Sequence, residues 1–124
     1  MSLARFAAPL AIAAAAFAAP AKAQQDDGQL VFNNACRTCH TTAEGDNRLG
    51  PSLGGVVGRE AGSLEGYSYS SAMAGAGFAW DEEKLDAFIE NPDAVVPGHN
   101  MKPFPGISDP AQRQAIVSYL AGAS

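Results

Sequence analysis

The segment Cys36-Arg37-Thr38-Cys39-His40 constrains this chain more than any other feature. It holds the only two cysteines of the sequence, two residues apart, with a histidine directly after the second. Two thiols at this spacing can add across the two vinyl groups of a haem while the adjacent imidazole reaches the iron. Other readings of the pair fit poorly. A thioredoxin-like dithiol sits in a βαβ pattern, and no strand-like alternation precedes Cys36. A structural zinc site needs four ligands, whereas the only other histidine is His99 and there is no third cysteine. A disulfide closing so small a loop would stabilise little.

The start of the sequence reads as an export signal. Arg5 supplies a positive charge, Phe6 to Ala19 is an apolar, alanine-rich stretch, and Ala21-Lys22-Ala23 has the small-x-small form of a cleavage site. Residues 1–23 are therefore expected to be a secretory signal peptide, with residues 24–124 as one domain of 101 residues. The apolar run is short of the roughly 20 residues a helical span needs, and no later stretch is long enough. A soluble periplasmic product is expected. Export also puts the thiols in an oxidising compartment, so covalent attachment implies a dedicated system. Arg5 and Lys22 leave with the signal, so the remainder carries six Lys+Arg against thirteen Asp+Glu, a formal charge of −7. Nucleic acid is not an expected partner for so acidic a chain. A domain of this size buries only a modest core, which a haem would enlarge.

Three helices with long loops are expected, an all-α fold. The first starts near Asp26-Asp27, acids suited to the positive end of the helix dipole, and runs into Cys36. Residues 41–79 are glycine-rich and lack a long periodic run, apart from a short turn near Ser70 to Ala74. So long a loop needs something large to lie on, and a haem qualifies. The second helix covers Asp81 to Glu90, capped by Asp81 and ended by Pro92. The third opens with Asp109 and Pro110, buries Ile116, Val117, Tyr119 and Leu120, and is stopped by Gly122.

An iron held by His40 has one axial position left. Met101 lies in a loop stiffened by Pro97, Pro103 and Pro105, and fixed φ angles hold a weak thioether donor at little entropic cost. Met/His ligation suits a c-type centre and raises its potential. Met73 lies in an unrestrained small-residue stretch and reads as packing. His99 reads as a surface or propionate-contacting loop residue. Its neutral imidazole would be competent to replace Met101 at alkaline pH.

Gly28, Phe32, Cys36-x-x-Cys39-His40, Gly50-Pro51-Ser52-Leu53, Gly58-Arg59, Gly66-Tyr67-Ser68-Tyr69, Trp80, Glu90-Asn91-Pro92 and Pro97-Gly98-x-x-Met101 follow one another in an order and spacing that resemble the class I c-type cytochromes, of the mitochondrial-like bacterial kind. The resemblance covers Gly28 to Leu120 and implies the small cytochrome c fold, its loops wrapped around one covalently bound haem c. It implies that the first and last helices cross near Gly28, Phe32 and Tyr119. It implies that the Pro51 carbonyl fixes the His40 ring, a contact that sets the tautomer of a ligating imidazole. It implies that Arg59, Tyr69 and Trp80 donate toward a haem propionate, which out of water needs such donors.

The chain also departs from that pattern. Phe88 stands where the family has a tyrosine beside the methionine ligand, His99 where it has a threonine, and Met73 where it has an asparagine, changes expected to make the methionine side drier. Asp93 and Ala94 stand where mitochondrial relatives carry lysines, so a partner with a basic or mostly apolar docking face is expected.

The function implied is one-electron shuttling between redox complexes by a monomer, through weak, fast docking at the exposed haem edge. Two rivals remain. One is a peroxidase-like or gas-binding haem protein with a labile methionine, for which His99 is the only histidine available as a distal group. The other is a dedicated electron-accepting subunit of one dehydrogenase.

Overall fold

A computed structural model describes residues 21–123. Most of the expected signal segment, residues 1–20, lies outside the described residues. The elements are α1 (Ala21–Ala35), α2 (Ser71–Ala74), α3 (Glu82–Glu90), α4 (Pro92–Val95) and α5 (Pro110–Gly122). Among the described residues there is no strand, only an isolated antiparallel bridge between Glu60 and Ala79. Three main helices with long connections are therefore present, as expected, and α2 and α4 are single turns.

The helix ends follow local chemistry. Asp81 Oδ1 accepts the Lys84 amide at the start of α3, where Glu82 and Glu83 meet the dipole. Asn91 is extended (φ −149°) because proline follows it, and Pro92 then occupies the first position of α4, where its missing N–H is harmless. Asp109 Oδ1 accepts the Ala111 amide at 2.9 Å, with Pro110 opening α5. The Ser70 hydroxyl accepts the Met73 amide to start α2.

Helix α1 is already formed at Ala21, the first described residue, ahead of the expected start near Asp26-Asp27; Ala, Lys and Gln all favour helix. One expected terminus differs. Gly122 does not stop α5. It is the last helical residue, and Ala123 follows with φ −96°. The end needs no left-handed glycine because the Ala123 carbonyl accepts the Gly55 amide at 2.7 Å.

The core lies where α1, α3 and α5 converge. Ile116 is fully buried, with Val117 and Leu120 beside it on α5, Leu85, Phe88 and Ile89 on α3, and Phe32 on α1. Helices α1 and α5 cross at Gly28, Phe32 and Tyr119, and the Phe32 and Tyr119 ring centres are 5.4 Å apart. The long loop is tied down by backbone bonds, Gly50 N to the Cys39 carbonyl and Leu53 N to the Thr41 carbonyl, both 2.8 Å. It contributes Val56 and Ser52 to the interior. Among the described residues no helix is long and apolar enough to cross a membrane.

Candidate haem and iron site

The attachment segment is the continuation of α1. Cys36 N donates to the Phe32 carbonyl at 2.7 Å, and Cys39 N and His40 N both donate to the Cys36 carbonyl, at 3.1 and 2.9 Å. That doubly bonded turn folds both thiols and the imidazole into one short unit. The cysteines are free and half-buried, so the disulfide reading does not hold. Burial pushes the Cys36 thiol up to about 11, with the nearby Cys39 adding to the rise. Among the described residues no cluster of His, Cys, Asp and Glu could hold a metal ion by itself, which leaves nothing for the zinc reading.

His40 is buried, and its Nδ1 donates to the Pro51 carbonyl at 2.8 Å. The other ring nitrogen, Nε2, then carries the free lone pair. Burial holds the imidazole below the usual histidine range. The Pro51 bond opposes that shift and the Arg59 charge adds to it. Gly50 makes room for the ring: a Cβ there would fall 2.6 Å from His40 Nδ1 and 2.8 Å from Nε2. Backbone trajectory, tautomer and side-chain size thus all serve one free nitrogen.

Arg59 and Trp80 are neighbours through the short antiparallel pairing, with Trp80 N donating to the Arg59 carbonyl at 2.8 Å. Trp80 is buried, edge-on to Phe78 and Phe88. Arg59 is half-buried and gives one amino group to the Ser52 carbonyl at 2.9 Å. Burial lowers its pKa, and Tyr69 lies close enough to oppose that. Tyr69 packs edge-on against Tyr67, whose hydroxyl donates to the Leu49 carbonyl at 2.8 Å. Burial, then Tyr69, then Cys39 raise the Tyr67 pKa. The Tyr67 contact with Leu49 is not readable from its own motif.

Met101 is half-buried against the core cluster, and Met73 packs there too. His99 departs from expectation. It is buried, not on the surface, and both ring nitrogens are engaged, Nε2 with Asp93 at 2.8 Å and Nδ1 with the Met101 amide at 2.9 Å. Neither is spare to replace Met101. Asp93 and Phe88 hold it inside, with the Phe88 ring centre 5.8 Å away.

Two free thiols, an imidazole with one bare nitrogen and a basic and aromatic lining suit a covalently held haem. A profile of the cytochrome c family matches residues 25–124. The chain belongs to the cytochrome c family. Among relatives, cytochrome c2 of Rhodopila globiformis is 44% identical over 94 residues, 76% of this chain and 88% of that one. Cytochrome c-554 of Methylosinus trichosporium is 38% identical over 98% of this chain and 91% of its own length. The solved structure of cytochrome cH from Methylobacterium extorquens superposes with a TM-score of 0.73 at 38% identity, over 79% of this chain and 97% of that chain. This cytochrome is a class I monohaem electron-transfer protein of all-α fold. It binds one haem c covalently through Cys36 and Cys39.

Proposed function

We propose that this cytochrome is an exported, periplasmic one-electron shuttle whose iron is held by His40 and Met101. The hydrogen bond from His40 Nδ1 to the Pro51 carbonyl carries the reading, because it reserves Nε2 for iron in a fixed orientation. The bound haem supplies an iron that takes up or gives back one electron. The chain's part is to keep that change small. Cys36 and Cys39 tether the group, Gly50 and Pro51 hold the imidazole still, and the bonded loop around Met101 holds the thioether. Arg59, Tyr69 and Trp80 are assigned as donors toward a haem propionate, a reading that rests on the family pattern and on the need of a buried propionate for such partners.

Residues 1–23 serve as the signal and the mature chain starts at Gln24, which puts Asp26 and Asp27 in the first turn of the shortened α1, where acids favour the dipole. The protein works as a monomer and meets redox partners through brief contacts at the haem edge. The enzymatic alternative is weaker than the sequence suggests. Its only candidate distal histidine, His99, is committed at both nitrogens.

The test is the optical spectrum of protein purified from the periplasm. A weak sulfur–iron charge-transfer band at the red end of the oxidised spectrum should be present and should vanish in Met101→Ala. A natural protein without that band refutes Met101 as ligand. A mass matching the bare chain from Gln24 refutes haem attachment.

A further inference from the structure

Asp93 and His99, two positions where the resemblance noted in the sequence implies a departure from the family pattern, touch each other, 2.8 Å between Asp93 Oδ1 and His99 Nε2. The same ring receives the Met101 amide on Nδ1 at 2.9 Å. An amide only donates, so Nδ1 must be the bare nitrogen, and Nε2 carries the proton given to Asp93. The imidazole is thus a neutral link from a carboxylate on α4 to the main chain of Met101. Its side chain is 2% exposed, against 69% for Asp93. The ring is held on further sides: Phe88 meets it nearly at right angles (77°), and the His99 amide donates to the Val96 carbonyl at 3.1 Å.

We propose that His99, steadied by Asp93, is a positioning residue for Met101. It never touches the iron. By clamping the Met101 amide it governs how readily the thioether departs and an outside ligand enters. The proposal rests on Met101 being the axial ligand. It differs from rigidity by proline alone, which constrains φ but offers nothing for the Met101 amide to bond. It also explains the paired departures: Asp93 gives up a docking charge and gains a buried partner.

The experiment measures how fast free imidazole displaces methionine in the haem-loaded oxidised protein, together with the sulfur–iron band. His99→Leu keeps bulk and removes the acceptor. His99→Asn loses bulk but puts an amide oxygen near the Nδ1 position. One hydrogen bond is worth about fivefold, so His99→Leu should bind imidazole at least about fivefold faster, with a weakened band. His99→Asn should return to within about twofold of the natural rate. Asp93→Ala, at an exposed position, should show a smaller acceleration of about twofold. A natural rate in His99→Leu overturns the proposal, as does a rate in His99→Asn equal to that of His99→Leu, since packing alone would then account for the effect. If the position-99 variants yield no haem-loaded protein, Asp93→Ala decides, acceleration supporting the proposal and a natural rate overturning it. A missing band in the natural protein marks the different failure, that of the ligand assignment itself.

Discussion

Gly28 and Tyr119 approach so closely across the α1–α5 crossing that a Cβ on residue 28 would fall 2.7 Å from the Tyr119 Cβ. The Ala115 carbonyl oxygen would be nearer still. Alanine at a mid-helix glycine ordinarily gains about 1 kcal/mol of helix propensity. Here the obstacle includes backbone, which cannot rotate aside, and overpacking costs about 1–3 kcal/mol. Overpacking should win. Gly28→Ala is expected to lower the midpoint of thermal unfolding by several degrees, about 4–8 °C per kcal/mol in a domain of this size. Circular dichroism checks it, and an unchanged or higher midpoint would mean that the two helices can part without cost.

Gly50→Ala tests the room made for the His40 ring. The added methyl would fall 2.6 Å from Nδ1, so the ring must turn away and strain its bond to Pro51. Because Gly50 N is also bonded to the Cys39 carbonyl, the backbone has little freedom to retreat. The expected result is a poor yield of haem-loaded protein, and in the fraction that loads, a lowered and broadened transition in a redox titration. A yield and potential like the natural protein's would show that the loop gives way instead.

Acid should act through His40. Burial holds its pKa below the ordinary histidine value, so between that value and the folded-state pKa the unfolded chain binds more protons than the folded one. Stability therefore rises with pH through this window and falls on acidification. Were Nε2 to hold iron, as proposed, the metal would compete with the proton and push the loss lower still. The visible spectrum should stay constant down through pH 6.5 and change only well below it, together with the loss of helix. A spectral transition centred at or above the ordinary histidine value would contradict a buried, iron-bound His40.

What the sequence made legible was mostly local. The Asp81 and Asp109 caps and the Pro110 start depend on neighbours a few residues away, and the structure keeps them, whereas Pro92, read as the end of α3, also opens the single turn α4. The Pro51 contact with His40 was also legible, but only through the family pattern, since it joins residues eleven apart. His99 was misplaced because a polar residue in a proline- and glycine-rich loop reads as exposed. Its burial depends on Phe88 arriving from α3 and Asp93 from α4. Arg113 is legible only from its spacing: residues 113, 116, 117 and 120 share one helical face, so a charge sits on the stripe that becomes the core.

That arginine supports the last prediction. Arg113 is 7% exposed. Its Nε donates to Asp86 at 2.9 Å, and Nη1 donates to the Ile107 and Ser108 carbonyls at 3.0 and 2.8 Å. One side chain thus pins α5 to α3 and to the segment that returns from the Met101 loop, while Glu90 lies farther off at 3.8 Å. Arg113→Met fills a similar volume but strands two carbonyls and leaves the half-exposed Asp86 without its cation. Replacing both members of a buried pair by apolar residues is often neutral, whereas removing one leaves its partner uncompensated. The partial exposure of Asp86 moderates that penalty, so the expected cost is about 2–3 kcal/mol. Denaturant unfolding of Arg113→Met should show the loss in the midpoint with an unchanged slope. The double variant Arg113→Met, Asp86→Leu should recover part of it but not all, because the two carbonyls remain without donors. Full recovery would place the whole effect in the ion pair and none in the loop clamp.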